Sequence, residues 1–471
     1  MTETTVNPYQ YLFNAQKARS WAIARTSYKE RLKKLDKLQS ALQKTYKTAI
    51  RQAIYDDFKK PIPETDVSEI YLVLKEIKHA KLMLRRWMAK HRVETPIALI
   101  GTSSYYKYEP KGVCLIISPW NYPFNLTFSP LVGAIAAGNA AIIKPSEMTP
   151  NVSSLIAKIV SDLFNEDEVA VVEGEVEAST HLLKLPFNHI FFTGSPAVGK
   201  IVMKAASAHL ASVTLELGGK SPVIVDGTSS VKTAARNVLW IKGYNNGQTC
   251  IAPDYVLIHE EVKDEFVKHF KYYCDKFYGE DPEKSNSYSR VVNLKHFNRL
   301  KEYLKDAKHK GGTFEVGGEE VHEEECYIEP TLISNLPEDA LLWKEEIFGP
   351  ILPIRTYKDL DEAIDYVNSK EKPLALYIYS NSKSTIDKIM TETRAGTTGI
   401  RNNGIQYTNH HLPFGGVNNS GIGKAHGFET FKAFSNQRSV IVRHSPGLIS
   451  LLKPPYTPFV QKLVDITLKW L

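Results

Sequence analysis

The stretch VCLIISPWNYPF, residues 113–124, decides the fold. Its first five residues are apolar without alternation, which is typical of a strand buried on both faces of a parallel sheet. A polar segment between two prolines follows the strand directly. Ligands of parallel α/β sheets bind beyond the carboxyl ends of the strands. We therefore expect a functional site to begin at residues 118–124.

The same pattern recurs along the chain and predicts an α/β fold. Short apolar runs alternate with helical stretches, as in parallel sheets with helices on both faces. The first group of predicted strands covers residues 113–117, 140–143, 169–172, 189–192 and 213–215. A second group begins near Pro222, with predicted strands at residues 223–225 and 256–258, helices at 233–243 and 260–277, and further elements up to residues 374–379 and 397–400. Residues 311–325, rich in glycine and glutamate, are expected to form a solvated surface loop.

The regions before the first sheet have a different pattern. Apolar residues at helical spacing predict helices within residues 11–60 and 67–91, with prolines at 61 and 63 between them. Their lysine-rich faces are interpreted as solvated surfaces rather than binding patches. Residues 96–108 alternate in character and predict a hairpin or an extended arm.

Composition excludes several classes of protein. Hydrophobic residues make up 43% and charged residues 24% of the 471 residues, as in ordinary soluble proteins. The net charge of +7 is spread over the chain without a basic, aromatic-rich block, so we expect no nucleic-acid partner. The four cysteines form no CxxC motif, which favours a reducing, cytoplasmic location. No apolar run is long enough to span a bilayer, and no signal peptide is expected.

Several polar residues fall where predicted strands end, and each has two interpretations. Asn121 is either a turn residue or an amide donor to a developing oxyanion. Lys144 and Glu147 are either an ion pair or ligands of the ribose hydroxyls of a nucleotide. Gly194, Ser195 and Gly199 either make a tight turn or open a helix whose N–H groups suit a pyrophosphate.

Glu216 and Cys250 have the same ambiguity. Glu216 follows a predicted strand and precedes two glycines, so it is either a surface charge or a general base toward water. Cys250 lies in the loop GQTCIAPDY, residues 247–255, where a nucleophile can be presented. A lone cysteine is more often a small buried hydrophobe.

Seven motifs taken together resolve these ambiguities. PWNYP, KPSE, FTGSxxVGK, ELGGKSP, GQTC, EEIFGP and PFGGxxxSG occur in this order, and from about residue 90 to residue 440 the chain resembles the aldehyde dehydrogenase superfamily. The short amino-terminal region and the single cysteine of GQTCIAPDY are most similar to the class-three branch. That branch implies a homodimer that acts on aromatic or medium- to long-chain aliphatic aldehydes with NAD or NADP.

The resemblance implies a role for each motif residue. It makes Cys250 the nucleophile, Glu216 the general base, and the Asn121 side chain with the Cys250 N–H the oxyanion hole. The implied cofactor contacts are Trp120, Lys144, Glu147, Gly194, Ser195, Val198, Gly199, Glu346 and Phe348.

The implied reaction passes through a thiohemiacetal and a thioester on Cys250 that water hydrolyses. Two alternatives remain: an aldehyde dehydrogenase that acylates coenzyme A, and a non-catalytic protein on the same fold. Glu147 should repel a ribose phosphate, which favours NAD over NADP. Asn418 replaces a glycine that many relatives have, and we expect it to tolerate left-handed backbone angles. Tyr122, Trp240, Tyr244 and the loop before Leu412 are candidates for the substrate tunnel.

The resemblance also implies a domain organisation. Residues 1–216 are expected to form a Rossmann-like cofactor-binding domain, interrupted by a small β oligomerisation arm at about 96–110. Residues 217–410 are expected to form a second α/β domain that carries the nucleophile. Residues 411–471 are expected to return to the cofactor domain and the dimer interface, and to end in an amphipathic helix with Trp470. That helix is interpreted as packing on the dimer, with a membrane surface as the alternative.

Overall fold

The structure is a computed structural model that describes residues 7–447 and 452–469. Its strands are β1 (His91–Val93), β2 (Thr102–Pro110), β3 (Val113–Ile117), β4 (Ala140–Lys144), β5 (Val169–Val171), β6 (His189–Gly194), β7 (Ser212–Leu217), β8 (Pro222–Val225), β9 (Tyr255–His259), β10 (Thr313–Val316), β11 (Val321–His322), β12 (Tyr327–Ile328), β13 (Thr331–Ser334), β14 (Ile351–Tyr357), β15 (Ala375–Tyr379), β16 (Thr397–Ile400), β17 (Gly421–Ile422) and β18 (Ser435–Arg443). Its helices are α1 (Gln10–Ala24), α2 (Tyr28–Ser40), α3 (Lys47–Phe58), α4 (Ile62–Thr65), α5 (Leu72–Trp87), α6 (Asn125–Ala137), α7 (Pro150–Leu163), α8 (Val176–Leu183), α9 (Pro196–Ser207), α10 (Val231–Gly243), α11 (Lys263–Tyr278), α12 (Leu294–His309), α13 (Leu360–Asn368), α14 (Lys383–Glu392), α15 (Phe428–Ala433) and α16 (Pro458–Lys469).

The first sheet has the strand order β17-β7-β6-β3-β4-β5. Strands β3 to β7 are parallel, and β17 joins the edge of β7 in the antiparallel direction. Cys114 and Ile116 of β3 pack on one face of this sheet with α5, α6 and α7, whereas Leu115 packs on the other face with α1, α8 and α9. Cover on both faces explains why β3 is apolar at every position.

The second sheet has the strand order β10-β13-β14-β9-β8-β15-β16. Its strands are parallel except β10, which is antiparallel to β13. Val223 and Val225 of β8 contribute to one hydrophobic cluster and Ile224 to another, so this sheet is also covered on both faces. The two sheets confirm the predicted α/β fold class.

The sequence-based prediction was wrong in two segments. Residues 311–325 are not simply a loop, because β10 pairs with β13 and β11 pairs with β12. The helix that starts in α4 continues through a π-helical turn, Asp66–Tyr71, into α5 and ends at Trp87, before the predicted end at residue 91. His91 instead begins β1, where its ring stacks on that of Tyr106 with a centroid separation of 4.9 Å.

A third sheet is made of β1, β2 and β18. Strand β2 falls in the segment predicted as a hairpin or arm, and its main partner is the distant β18, with Thr102 opposite Arg443 and Pro110 opposite Ser435. The chain thus returns after the second sheet, first to β7 through β17 and then to β2 through β18.

The last described helix, α16, is largely exposed. Val460 is buried, whereas Phe459, Ile466 and Leu468 are exposed. Trp470 and Leu471, which the sequence-based prediction placed on this helix, lie outside the described residues. Within residues 7–447 and 452–469, no helix has both the length and the apolar character needed to cross a membrane.

Candidate active site

Cys250 is presented by a backbone segment in an uncommon conformation. Between α10 and Cys250, three successive residues have positive φ: Asn245 at 51°, Asn246 at 56° and Gly247 at 71°. Asparagine and glycine tolerate this region better than other residues. At Gly247 a side chain is also sterically excluded, because a Cβ atom would lie 2.3 Å from the carbonyl oxygen of Gly349. The run Asn-Asn-Gly therefore folds the loop tightly under the cysteine.

Buried hydrogen bonds fix this loop. The fully buried Gln248 amide donates to the carbonyl oxygens of Asn245 (3.0 Å) and Arg290 (2.9 Å), and its Oε1 accepts from the Val292 N–H (2.9 Å). Glu64 accepts from the Asn245 N–H at 3.0 Å. Because these partners come from three separate parts of the chain, the position of Cys250 is set by tertiary structure.

Asn121 is bonded to the same loop. Its Nδ2 donates to the carbonyl oxygen of Gln248 at 3.1 Å, which leaves the second N–H of the amide available. The main-chain carbonyl oxygen of Asn121 accepts hydrogen bonds from Asn245 Nδ2 at 2.9 Å and from Lys60 Nζ at 3.3 Å. An amide donor that is bonded to the loop of Cys250 through both its side chain and its main chain has the preorganisation that an oxyanion site requires.

One cavity of about 1120 Å³ brings the predicted site residues together. It lies beyond the carboxyl ends of β3, β4, β6 and β7, as expected for a parallel sheet. The predicted residues in its wall are Trp120, Asn121, Lys144, Glu147, Gly194, Ser195, Val198, Glu216, Cys250, Glu346 and Phe348. Gly199 differs from the others: its N–H donates to the Ser195 carbonyl oxygen, and a Cβ there would lie 2.7 Å from Leu217 Cδ2. Gly199 thus allows α9 to pack closely on β7 and does not face the cavity.

Cys250 and Glu216 lie in an environment that disfavours charge. Burial raises the pKa of the Cys250 thiol, and the Glu346 and Glu216 carboxylates raise it further. Burial also raises the pKa of Glu216 well above its ordinary value, although Lys424 opposes this shift. Both carboxyl oxygens of Glu216 are buried and have no hydrogen-bond partner among the residues that the structure describes. An unpartnered buried carboxyl group is costly for folding and is typical of a group kept for chemistry.

Lys144 and Glu147 line the same cavity and form an ion pair, with Nζ 2.7 Å from Oε2. The Lys144 side chain is 4% exposed, whereas that of Glu147 is 33% exposed. Burial raises and the hydrogen bond from Lys144 lowers the pKa of Glu147, and the net shift is downward. Glu147 is therefore an ionised acceptor at the cavity wall. The pair can form an ion pair and still offer an acceptor to ribose hydroxyls, so the two interpretations of its sequence are compatible.

The amino terminus of α9 also lines the cavity. Ser195 caps the helix by accepting from the Val198 N–H at 3.4 Å, and Pro196 occupies the first turn, where no N–H is required. Gly194 is needed because a Cβ there would lie 2.5 Å from the Phe192 ring. A helix amino terminus facing a cavity attracts anions such as phosphate.

Glu346 and Phe348 approach the backbone and the aromatic residues of the cavity. A Cβ on Gly218 would lie 2.0 Å from Glu346 Oε2, so only glycine admits this carboxylate. Burial, together with Asp254, raises the pKa of Glu346 to about 8. Phe348 has a φ of 49°, rare for a bulky residue, and its ring meets Trp120 edge to face at a centroid distance of 5.2 Å. Strained backbone of this kind concentrates at functional sites.

Sequence reasoning missed residues that support the site. Lys60, Glu64, Asn245 and Gln248 were not singled out, although the Asn-Asn-Gly run is a recognisable turn signal. Tyr122, Trp240 and Tyr244 do not line the cavity described above. The hydroxyl of Tyr122 instead bonds Thr249 Oγ1 at 2.6 Å. In the segment after β16, the described wall residues include Tyr407, Phe414 and His426.

Asn418 behaves as the sequence predicts. It has a φ of 55°, and Lys372 Nζ donates to its Oδ1 at 2.6 Å. The backbone of the glycine-rich loop is therefore left-handed at this position even though the residue is asparagine and not glycine.

The fold and the cavity define an α/β protein with a cavity at the carboxyl ends of a parallel sheet, suited to a dinucleotide. Comparison with known proteins identifies the family. The profile described as the aldehyde dehydrogenase family matches residues 5–440. The chain belongs to the aldehyde dehydrogenase family, and the resemblance seen in its motifs and its identification as an enzyme of this family are confirmed.

Two curated relatives cover most of the chain. The 4,4'-diaponeurosporen-aldehyde dehydrogenase of Staphylococcus aureus is 44% identical over 444 residues, which are 94% of either chain. Human aldehyde dehydrogenase family 3 member B1 is 42% identical over 415 residues, 88% of this chain and 87% of the human protein.

Two solved structures extend the comparison. The substrate-bound state of Staphylococcus aureus AldH has a TM-score of 0.94 and 42% identity, and the match covers 98% of this chain and 100% of that one. The NAD+ complex of aldehyde dehydrogenase from Bacillus cereus has a TM-score of 0.84 and 25% identity, covering 92% and 88% respectively.

Proposed function

We propose that the protein oxidises an apolar aldehyde to a carboxylic acid through Cys250, with NAD as the preferred hydride acceptor. The observation that carries this proposal is the arrangement of Cys250, Asn121 and Glu216 on one cavity that also holds a helix amino terminus and the Lys144–Glu147 pair. The wall of that cavity contains the parts that an aldehyde and a dinucleotide each need.

The cavity fits a nicotinamide dinucleotide. The amino terminus of α9 suits its pyrophosphate, and Glu147 suits ribose hydroxyls as an ionised acceptor. Gly218 leaves room for the Glu346 carboxylate, which we assign with Phe348 and Trp120 to the nicotinamide half. The carboxylate of Glu147 should repel a 2′-phosphate, so we propose NAD ahead of NADP. The Bacillus cereus relative, solved with NAD+, supports this assignment.

The first half of the reaction uses Cys250 and Asn121. The Cys250 thiol transfers its proton to water, and the resulting thiolate sulfur adds to the aldehyde carbon to give a thiohemiacetal oxyanion. The negative charge that develops on oxygen is stabilised by Asn121 Nδ2–H and the Cys250 backbone N–H. A nicotinamide held by Trp120, Glu346 and Phe348 would supply the acceptor for the hydride of the thiohemiacetal carbon, and loss of that hydride would leave a thioester on Cys250.

The second half uses Glu216. Its carboxylate accepts a proton from water as the water oxygen attacks the thioester carbon. The carbon–sulfur bond then breaks, the Cys250 thiolate leaves, and the carboxylic acid is released. Because both Glu216 oxygens lack partners in the described structure, neither must break a hydrogen bond before it accepts that proton.

The experiment that tests this assignment is single-turnover kinetics of Glu216→Gln. We expect a burst of NADH close to one equivalent per site, followed by slow or absent steady-state turnover, because the thioester forms and is not hydrolysed. Cys250→Ala is the matched control and should give no burst. A wild-type steady-state rate in Glu216→Gln contradicts the role of Glu216.

Rate measurements with and without coenzyme A distinguish hydrolysis of the thioester from acyl transfer to coenzyme A. Added coenzyme A should not raise the wild-type rate, since a base positioned for water favours hydrolysis. A rate that depends on coenzyme A would instead favour the acylating alternative. Medium- to long-chain aliphatic and aromatic aldehydes form the substrate panel, together with 4,4'-diaponeurosporen-aldehyde, which appears in the name of the Staphylococcus aureus relative.

We also propose that the sheet of β1, β2 and β18 joins two copies of the chain in a homodimer. Exposed apolar residues on this sheet, Val93, Ile441 and Val442, support an interface there. Light scattering of the wild type should give the mass of a dimer, and charged substitutions at Ile441 and Val442 should shift it to the monomer.

A further inference from the structure

Three histidines form a compact cluster outside the residues assigned to catalysis. His79 lies on α5, and His410 and His411 precede the segment that leads to Phe414. One ring nitrogen of each lies within 4.8 Å of one from each of the others. The ring centroids of His79 and His410 are 4.3 Å apart, those of His410 and His411 are 4.3 Å apart, and those of His79 and His411 are 5.0 Å apart.

The hydrogen bonding of this cluster is incomplete. The Nδ1 atom of His410 is buried and has no hydrogen-bond partner in the part of the chain that the structure describes. An imidazole nitrogen without a hydrogen-bond partner is available to bind a metal, and histidine is the commonest metal ligand in proteins.

We propose that His79, His410 and His411 bind one divalent transition-metal ion of the zinc type, with a fourth position open to water. Three imidazoles on a tetrahedral ion, with Zn–N bonds of about 2 Å, have ring centroids about 5 Å apart. The observed separations of 4.3 to 5.0 Å differ from this by less than the length of one bond. His411 is exposed, so its ring has room to adjust and the ion has a path of entry.

A bound ion connects two segments that are distant in sequence and meet at the cavity wall. Glu76, one turn before His79 on α5, lines the cavity and accepts from the Gly427 N–H at 3.0 Å. His426, next to Gly427, also lines the cavity. An ion at the histidine cluster therefore stabilises the contact between α5 and the segment that forms this part of the wall.

The test measures metal binding directly, in the Cys250→Ala background, because the Cys250 thiol is itself a ligand for zinc. Titration with Zn²⁺ by calorimetry, and with Co²⁺ by its visible absorption, should give one ion per chain with the spectrum of a tetrahedral site. Zn²⁺ should also raise the melting temperature, because an ion that binds only the folded state stabilises it.

Two variants remove ligands. His411→Gln and the double variant His410→Gln/His411→Gln should lower Zn²⁺ affinity by about 100-fold or more, since losing even a group that only orients a ligand costs up to about that factor. His309→Gln, an exposed histidine at the end of α12, is the matched control and should bind as the parent does. Binding of no ion by the parent, or equal affinity and stoichiometry in the double variant, overturns the proposal. His411 is exposed, so the single variant keeps the test valid if the double variant does not fold.

Discussion

Lys60 Nζ lies 2.8 Å from Glu69 Oε1, and neither side chain has any exposed surface. The pair connects the amino-terminal helices to the site. Lys60 also donates to the carbonyl oxygen of Asn121, and Glu69 Oε2 accepts from the Asn125 N–H at 2.9 Å. The Lys60 ammonium further lies over the Tyr122 ring, 4.4 Å from its centroid. The backbone of residues 121–125 is therefore held from behind by a buried ion pair.

Removing one partner of this pair should cost both stability and rate. We expect Glu69→Gln to lower the free energy of unfolding by about 3–5 kcal/mol, because it leaves the Lys60 charge buried without its partner. It should also lower kcat through displacement of Asn121. Urea unfolding and steady-state kinetics measure the two effects.

An exposed ion pair provides the control. Lys305 and Glu302 on α12 are more than half exposed, and Glu302→Gln should cost at most about 1 kcal/mol and leave kcat unchanged. Equal effects from both substitutions would show that the burial of Lys60 and Glu69 has no special importance.

Loss of the Asn121 amide should mainly affect the transition state. Asn121→Ala should lower kcat by about 10²- to 10³-fold, or about 2.7–4 kcal/mol, which is typical for one oxyanion donor. Asn125→Ala, a buried amide four residues away that does not line the cavity, is the matched control. If kcat fell more in Asn125→Ala than in Asn121→Ala, the role of Asn121 as an oxyanion donor would be contradicted.

The stability of the nucleophile loop should depend on pH through Glu64, which accepts from the Asn245 N–H. Burial raises the pKa of Glu64 from its ordinary value of 4.5 to about 7. Because the folded-state pKa is the higher one, the stabilisation is fully present below pH 4.5 and is lost as the pH rises through about 7. At about 1.4 kcal/mol per unit of pKa, the loss is at most about 3 kcal/mol.

Glu64→Gln tests this dependence, since glutamine keeps an acceptor oxygen and cannot ionise. The unfolding free energy of the variant relative to the wild type should rise between pH 4.5 and pH 8. Denaturant unfolding at several pH values measures the difference. A difference that does not change over this range would show that Glu64 has the same pKa in both states.

Gly218→Ala should weaken binding of the cofactor without unfolding the protein. The added Cβ would lie 2.0 Å from Glu346 Oε2, and a carboxylate at the end of a flexible side chain can move away. We expect a higher KM for NAD and little change in melting temperature. Gly227→Ala, where the nearest atom to the added Cβ is 3.8 Å away, should change neither. If the KM for NAD were unaltered in Gly218→Ala, the assignment of Glu346 to the nicotinamide half of the cofactor would be wrong.

Local pattern was enough to predict much of the fold. The continuous apolar runs predicted β3, β4 and β6 to within two residues, because strands covered on both faces leave no polar positions. The motifs also indicated the residues of the cavity wall. Lys60, Glu69 and Gln248 were not predicted, because their importance comes from contacts with distant segments and no local pattern shows such contacts. Gly199 was assigned to phosphate binding on its motif, whereas its packing against Leu217 becomes visible only in three dimensions.

The return of the chain to the first sheet determines when the site is complete. Gly421 of β17 lies opposite Glu216 on β7, and Phe414 and His426 form part of the wall near Cys250. All of these late residues leave the ribosome after the rest of the site, since synthesis proceeds from the amino end at about 5–20 residues per second. A nascent chain that stops before residue 411 has its thiol and its glutamate but lacks this wall. The cavity wall is thus completed at the end of synthesis, and a product truncated before residue 411 carries Cys250 and Glu216 without this part of the wall.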